Sequence, residues 1–543
     1  MAASQQASGI AVAGGGRMAW GAAATSIRLP AWAPLTLLLL ASVATRVGGL
    51  QRPLVGQFAT KNVVYAMIAR NWATGEAPWW HPSLDCLADG QPAWHLLEIP
   101  VSAYLSGACW RLFGGSLDMW GRATSVAFST AGVWLMFHLA ARWHSRAAAW
   151  GAAVTLAITP VSIIYGQAMM LEASLVCFTL ATLLGCDLWL SRGSPTRRYA
   201  GLGLATLALA MLLATKVYML VILLPMAVMC VRWWRANQGR NREATRDVVA
   251  LAAAAVLAIA PTASWQWHVR EVTRHDSPVA KRVFYSVWDS ADAHRFPSPL
   301  FADAEFYRQL LDDLAGPVLG PVGLSLALLA FADRAWRRHW AWLAAMGVVI
   351  LALPLKFHVM QYYHMVWLPL LAMLVGLGWS VLNRAIRPSR WFVAAVLAVA
   401  MCVSSRYAFR AAFITPPEDR AVVAAGRAVA SISAPDEKVV AIHGSTLDLL
   451  YYSARRGWAP PIDDPRLGER LDEFRAAGAT WLVVADLSRI ERSETASRAL
   501  AQYEVVAEGD DYRVYRLTDS GMTVGATTSG DQYGTTCQVE TPL

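Results

Sequence analysis

Apolar positions in this chain are gathered into blocks, and the polar ones fall between them. Runs such as GLGLATLALAMLLAT, VVALAAAAVLAIAPTA and WLPLLAMLVGLGW approach the ~20 residues that cross a ~30 Å hydrocarbon core. Taking every such block gives about eleven spans: 30–50, 121–140, 147–165, 171–190, 199–214, 216–231, 247–266, 317–333, 339–355, 361–382 and 391–409. Two long polar intervals interrupt them, 51–120 and 267–316, each rich in aromatic residues suited to a membrane surface. After about Thr415 the period shortens. PPEDRAVVAAGRAVASI and LDEFRAAGA read as helices, and KVVAIHG, TWLVVAD, YEVVAEG and YRVYRL as strands. The pattern predicts a mainly α, polytopic membrane helical bundle over 30–410, followed by a small C-terminal α/β domain over 415–518. The end segments 1–29 and 519–543 are rich in small and polar residues and are expected to be disordered.

Composition agrees with this. Of 543 residues, 56% are hydrophobic and 16% charged, and the mean hydropathy is +0.36, values outside the soluble range. A net charge of +9 would fit nucleic acid if it formed one patch. Here the arginines sit in short clusters between apolar blocks, where they set orientation, so a nucleic-acid partner is excluded. Seven cysteines are scattered without CxxC or Cys/His spacing and imply no zinc site; Cys86 with Cys109 is the one pairing left open.

Topology turns on LLEIPVSAYLSGACWRLFGG, residues 96–115, which is apolar but carries Glu98, Pro100 and Arg111. If it does not cross, the clusters at Arg142/Arg146, Arg192/Arg197/Arg198, Arg232–Arg246, Arg334–Arg338 and Arg384–Arg390 all fall on the side of the N-terminal tail. If it crosses, all of them move out, against the positive-inside rule. The stretch is therefore read as juxtamembrane or re-entrant. Both long loops and the C-terminal domain then lie outside the cell membrane.

Under that topology the ionisable residues near the membrane collect on the outer side: Glu98, Glu172, Lys216, His268, Lys356, His358 and His364. Such groups face a cavity or a partner because a charge near hydrocarbon costs at least ~2.5 kcal/mol. The plainer reading, a snorkelling or paired residue at a span end, stands beside each of them. For Asp85 and Asp89, next to Gly90 and Pro92, it is solvated turn chemistry.

One family shows the same order of features. RPL (52–54), YAMIARNW (65–72), LLEIP (96–100), LFGGSLDMWGRATS (112–125), YGQAMMLE ending at Glu172, Lys216 after Thr215, and QYYHMVWLPLLA (361–372) together resemble the GT-C superfamily of polyprenyl-phosphate-sugar-dependent glycosyltransferases. The likeness is to the branch of protein O-mannosyltransferases and lipid A aminoarabinose transferases. It implies an inverting sugar transfer from a polyprenyl-phosphate donor to a protein, lipid or glycan acceptor, at the periplasmic face of a bacterial inner membrane. A carboxylate takes the acceptor proton and cations hold the departing phosphate. On this resemblance Glu98, Asp85 and Glu172 are the catalytic candidates, Glu98 first. Lys216, His358, Tyr362 and Tyr363 are the donor-binding ones. The acidic pair usual before the Tyr-x-x-Ile-Ala-Arg segment is replaced by Lys61-Asn62, and the usual His-Glu-Tyr-Tyr by Met360-Gln361-Tyr362-Tyr363. Some members use a divalent metal, magnesium or manganese; no ligand cluster is evident by spacing, so no cofactor is assigned. A transporter of lipid-linked saccharide and an inactive scaffold are the alternatives.

Overall fold

The computed structural model describes residues 32–517 apart from 57, 238–240, 275, 278, 286–297, 387–389, 407, 409–412 and 416. The tails expected over 1–29 and 519–543 lie outside the described residues. All eleven predicted spans overlap helix among the described residues, but not all of those helices are long enough to cross. Among the described residues six helices are long and apolar enough to cross a membrane, Leu117–Trp143 (α4), Glu172–Trp189 (α7), Pro195–Thr215 (α8), Val217–Ala236, Arg242–Val272 and Leu368–Ala385 (α15). The pair Ala304–Val318 and Gly320–Ala332 is as apolar but bent by 108°, the geometry of a broken span or a re-entrant loop. The chain is thus a multi-pass membrane protein.

The remaining predicted spans are shorter pieces, with physical causes that the sequence holds. The block 147–165 is broken into Arg146–Ile158 (α5) and Pro160–Tyr165 (α6), with Thr159 extended between them. Pro160 has no N–H for the carbonyl four residues back. That carbonyl, on Leu156, accepts instead from the Ser162 hydroxyl at 2.6 Å. Arg46, fully buried near the end of Ala33–Val47 (α1), fills the rest of the break by donating to the carbonyl oxygens of Ala157 (3.0 Å) and Ser162 (3.2 Å). Elsewhere the bundle closes tightly. A Cβ on Gly201 would stand 2.9 Å from the Gly185 carbonyl oxygen, so α7 and α8 approach backbone to backbone.

The first long loop folds as Ala59–Ala73 (α2), Ser83–Ala88 (β1), Gln91–His95 (β2) and Val101–Phe113 (α3). With 13 residues α3 is about 20 Å long, too short for a hydrocarbon core. The β1–β2 hairpin turns on Asp89 and Gly90, at φ 52° and 70°, the left-handed pair that two-residue hairpins favour. The helix Asn241–Val272 (α10) has 32 residues, about 48 Å. Its last turns therefore reach past the bilayer, and Trp265 and Val269 pack against Trp94 and Leu96 of the hairpin region.

Every element predicted beyond 415 is present: the helices Pro417–Ile432 and Leu467–Ala476, and strands Lys438–Ile442 (β4), Ala479–Ala485 (β6), Glu504–Gly509 (β7) and Tyr512–Arg516 (β8). With Val283–Tyr285 (β3) and Gly457–Trp458 (β5) they join the first loop in a single eight-stranded sheet, order β3-β2-β1-β5-β4-β6-β8-β7. The seam is parallel, Cys86 of β1 opposite Gly457 of β5. One core runs across it, Leu54, Tyr65, Ile68 and Leu84 packing with Val422, Val439, Leu450 and Val483. Tyr451 and Tyr452 both donate to Asp118 at 2.7 Å, and the Tyr452 hydroxyl accepts from the Leu54 N–H at 2.5 Å. Cys86 is buried and Cys109 half-buried, and the two are not joined to each other.

Candidate active site

Glu98 sits in the short link between β2 and α3, and the backbone fixes what it faces. The N–H of the next residue, Ile99, donates to the carbonyl of Ala214 at 3.0 Å. That pins the link to the end of α8, two residues before Lys216. Lys216 is extended (φ −151°, ψ 110°), so α8 stops there and the next span starts at once. The outcome is a buried pair, Glu98 Oε2 and Lys216 Nζ at 3.1 Å, with 3% and 5% of each residue exposed.

The other carboxylate oxygen is held from α2. Lys61 and Tyr65 are four residues apart and so share a helix face. The Tyr65 hydroxyl donates to Glu98 Oε1, and Lys61 Nζ lies 3.8 Å from the same atom. His95 Nε2 is 3.5 Å from Oε1, and its ring meets Tyr65 edge-on. Burial disfavours the ionised Glu98, but the ammonium groups of Lys216 and Lys61 outweigh it, so its carboxyl is held well below the usual range. Burial and the Lys216 charge push Lys61 down to about 8.

Glu172 opens α7 beside these groups. It is buried, and its Oε2 has no hydrogen-bond partner; a helix N-terminus suits a carboxylate there. Lys356 is close enough to add its charge to those acting on Lys61. Tyr362 and Tyr363 lie on a 3-10 turn, Gln361–Met365. Tyr363 faces Lys216 and stacks on Tyr218 at 6.2 Å. Tyr362 meets Phe58 edge-on at 5.1 Å. Phe58 caps α2 at φ 58°, a left-handed conformation that bulky residues rarely hold.

Thus Glu98, Glu172, Lys216, Tyr362 and Tyr363 come together, and two of the candidate residues do not join them. Asp85 is on β1, bonded to Arg70 and to Asn71 Nδ2 at 3.3 Å, with Arg70 lying over the Tyr451 ring. Its setting is the seam of the sheet. Asp85→Asn would leave Arg70 without its counter-charge and is expected to lower stability by roughly 3 kcal/mol. Activity per folded molecule should not change; thermal unfolding beside an activity assay checks both. His358 turns toward Ala304–Asp313, its ring 6.0 Å from Phe306 and its carbonyl accepting from Gln309. His364 is buried against Asp313 at 3.2 Å. Asp89 serves the hairpin turn. Lys61, Tyr65, His95 and Tyr218 enter the site although the sequence reading gave them no role. The i,i+4 spacing of Lys61 with Tyr65 and the i,i+3 spacing of His95 with Glu98 were the available signals.

Among the described residues no three His, Cys, Asp or Glu side chains are grouped as metal ligands. Glu98 is ringed by ammonium groups, a setting that repels a divalent cation. The residues present do not fit a metal.

Residues 98–272 match the family of dolichyl-phosphate-mannose–protein mannosyltransferases, a stretch that begins at Glu98 and includes Glu172 and Lys216. Among solved structures, the chain is similar to ArnT from Cupriavidus metallidurans bound to undecaprenyl phosphate, at 14% identity and a TM-score of 0.59, covering 90% of this chain and 99% of that one. It is also similar to the Archaeoglobus fulgidus oligosaccharyltransferase with zinc and sulfate (11%, 0.53, covering 84% and 68%). The same is true of the AglB complex of that organism with an inhibitory peptide and a dolichol-phosphate (12%, 0.51, covering 86% and 70%). At these identities the likeness is one of fold. No curated protein matches the sequence. The resemblance to the GT-C superfamily is borne out by the family match together with the fold.

Proposed function

We infer, from the GT-C glycosyltransferase architecture that this chain shares, a membrane enzyme that moves a sugar from a polyprenyl-phosphate donor to an acceptor at the outer, periplasmic face. The ArnT structure holding undecaprenyl phosphate supports that class of donor. The observation that carries the reading is the buried Glu98–Lys216 pair at 3.1 Å, a proton acceptor and an anion holder side by side at the end of a span. In the transfer, an acceptor hydroxyl oxygen bonds to C1 of the sugar from the face opposite the phosphate. The C1–O bond to phosphate breaks, its electron pair leaves on the lipid phosphate, and the hydroxyl proton passes to Glu98. Lys216 stabilises the charge growing on the phosphate, and Tyr362 and Tyr363 wall the sugar. The face of attack makes the transfer inverting. Glu172 is a second carboxylate in reach of the sugar.

The arginine clusters support a bacterial inner membrane orientation with the C-terminal segment outside. An outward C-terminal segment is placed to meet the acceptor, whether protein, lipid or glycan. Turnover tests the reading: purified protein in vesicles, given polyprenyl-phosphate sugars, should release polyprenyl phosphate when acceptor is present. Binding of lipid phosphate without any turnover would favour the inactive scaffold, for which the Lys61-Asn62 replacement is the argument.

Alkaline pH offers a further check. Lys61 is charged below about 8 and neutral above it, while Glu98 stays ionised throughout. Lys216, Lys356, Glu98 and Glu172 are the charged groups that face it. An anionic donor prefers the charged form, so kcat/KM for the donor is expected to fall as pH rises through about 8. Bound phosphate raises the Lys61 pKa, so kcat should hold to higher pH. Lys61→Arg should remove the fall.

A further inference from the structure

Two ammonium groups approach one carboxylate from opposite sides. Lys216 Nζ meets Glu98 Oε2 at 3.1 Å, and Lys61 Nζ meets Oε1 at 3.8 Å. The three residues come from separate parts of the chain, the end of α8, the first turn of α2 and the β2–α3 link. No local turn geometry therefore explains the pattern. A carboxylate that gives each of its oxygens to a different cation is spaced like two oxygens of a phosphate. The charges point the same way. Lys61 feels the charges of Lys216 and Lys356 as well as those of Glu98 and Glu172, three cations against two carboxylates. Buried charge needs a partner, and a lipid-linked phosphodiester carries one negative charge.

We propose that Lys61 and Lys216 together form the seat for the donor's phosphate, and that Glu98 occupies this seat while it is empty. The inference rests on the polyprenyl-phosphate reading above. When the phosphate arrives it takes over both ammonium groups. Glu98 is displaced from them and keeps only its neutral neighbours, Tyr65 and His95. The carboxylate that was tied up in the empty protein is then free to receive the acceptor proton. Lys61 becomes a second cation of the leaving-group site. Donor binding must precede acceptor activation.

The test measures binding of undecaprenyl phosphate, without sugar, to the full-length protein in vesicles of zwitterionic lipid. Glu98→Gln removes the competing anion and keeps the shape, so it is expected to bind about tenfold more tightly than wild type. Lys61→Gln should bind about tenfold more weakly, even though the Lys216–Glu98 pair is intact in it. The second variant decides the matter if the first does not fold, which thermal unfolding reports. Equal or weaker binding by Glu98→Gln, or unchanged binding by Lys61→Gln, overturns the seat while wild-type binding keeps the donor reading. If wild type and both variants all fail to bind, the donor reading falls and the seat with it.

Discussion

Replacing Glu98 by glutamine is expected to lower sugar transfer about 10²- to 10⁴-fold, the range lost with a positioned proton acceptor. Glutamine has the same outline, so Tyr65 and Lys216 keep a partner and the fold should survive. What disappears is the charge that receives the hydroxyl proton. The loss should appear in kcat, with KM for the donor no higher than in wild type, because the phosphate is held by lysines and not by this residue. Initial rates with a polyprenyl-phosphate sugar would show it. Full activity in the variant would remove Glu98 from the chemistry and leave Glu172, whose Oε2 is buried and unpartnered, as the acceptor.

Ending the chain at Thr415 is expected to have an effect of similar size by another route. A freestanding appendage could be cut away at little cost to the rest. Here β1 would lose β5 as its neighbour, Asp118 would lose the hydroxyls of Tyr451 and Tyr452, and Glu76 its ion pair with Arg456. Leu54, Tyr65 and Ile68 would lose the apolar side chains of Pro417–Ile432 and β4 that bury them. Each buried large side chain contributes about 1.5–3 kcal/mol, so these three together are comparable with the roughly 5–15 kcal/mol that holds a domain together. Tyr65 and Lys61 belong to the helix so exposed. Donor binding should therefore be lost together with acceptor use, and limited proteolysis should cut within 51–100. A truncated protein that still binds lipid phosphate as wild type does would refute this.

Much of the fold was legible because its signals are local. Apolar blocks marked each of the six helices long enough to cross a membrane, and period-two and helical patterns found two helices and four strands after 415 but missed the short helices Asp448–Ser453, Leu487–Arg492 and Glu494–Leu500 and the two-residue β5. The charge argument that kept 96–115 from crossing agrees with the short α3. The break at Pro160 and the bend between Val318 and Gly320 were not drawn, although the prolines were visible, because whether a proline ends a helix depends on what replaces its lost hydrogen bond. At Pro160 that is Ser162 and Arg46, the latter from another helix. In the site, Glu98 and Lys216 could be paired in advance since both interrupt apolar sequence on the same side. Lys61 could not, because its meaning depends on a contact between α2 and a residue 37 positions later in the chain. Asp85 looked as free as Glu98 in sequence. Its engagement with Arg70 and the Tyr451 segment needs the sheet to be closed first.

The parallel seam between Cys86 and Gly457 also sets a timetable. At translation speeds of about 5–20 residues per second, the hairpin emerges roughly 20–70 s before the strand that completes it. During that interval the newborn chain exports a half-built surface and must keep it from other partners. Only when the last fifth of the polypeptide has been threaded out can the lysine helix settle, so an interrupted message yields a protein that is inserted but inert.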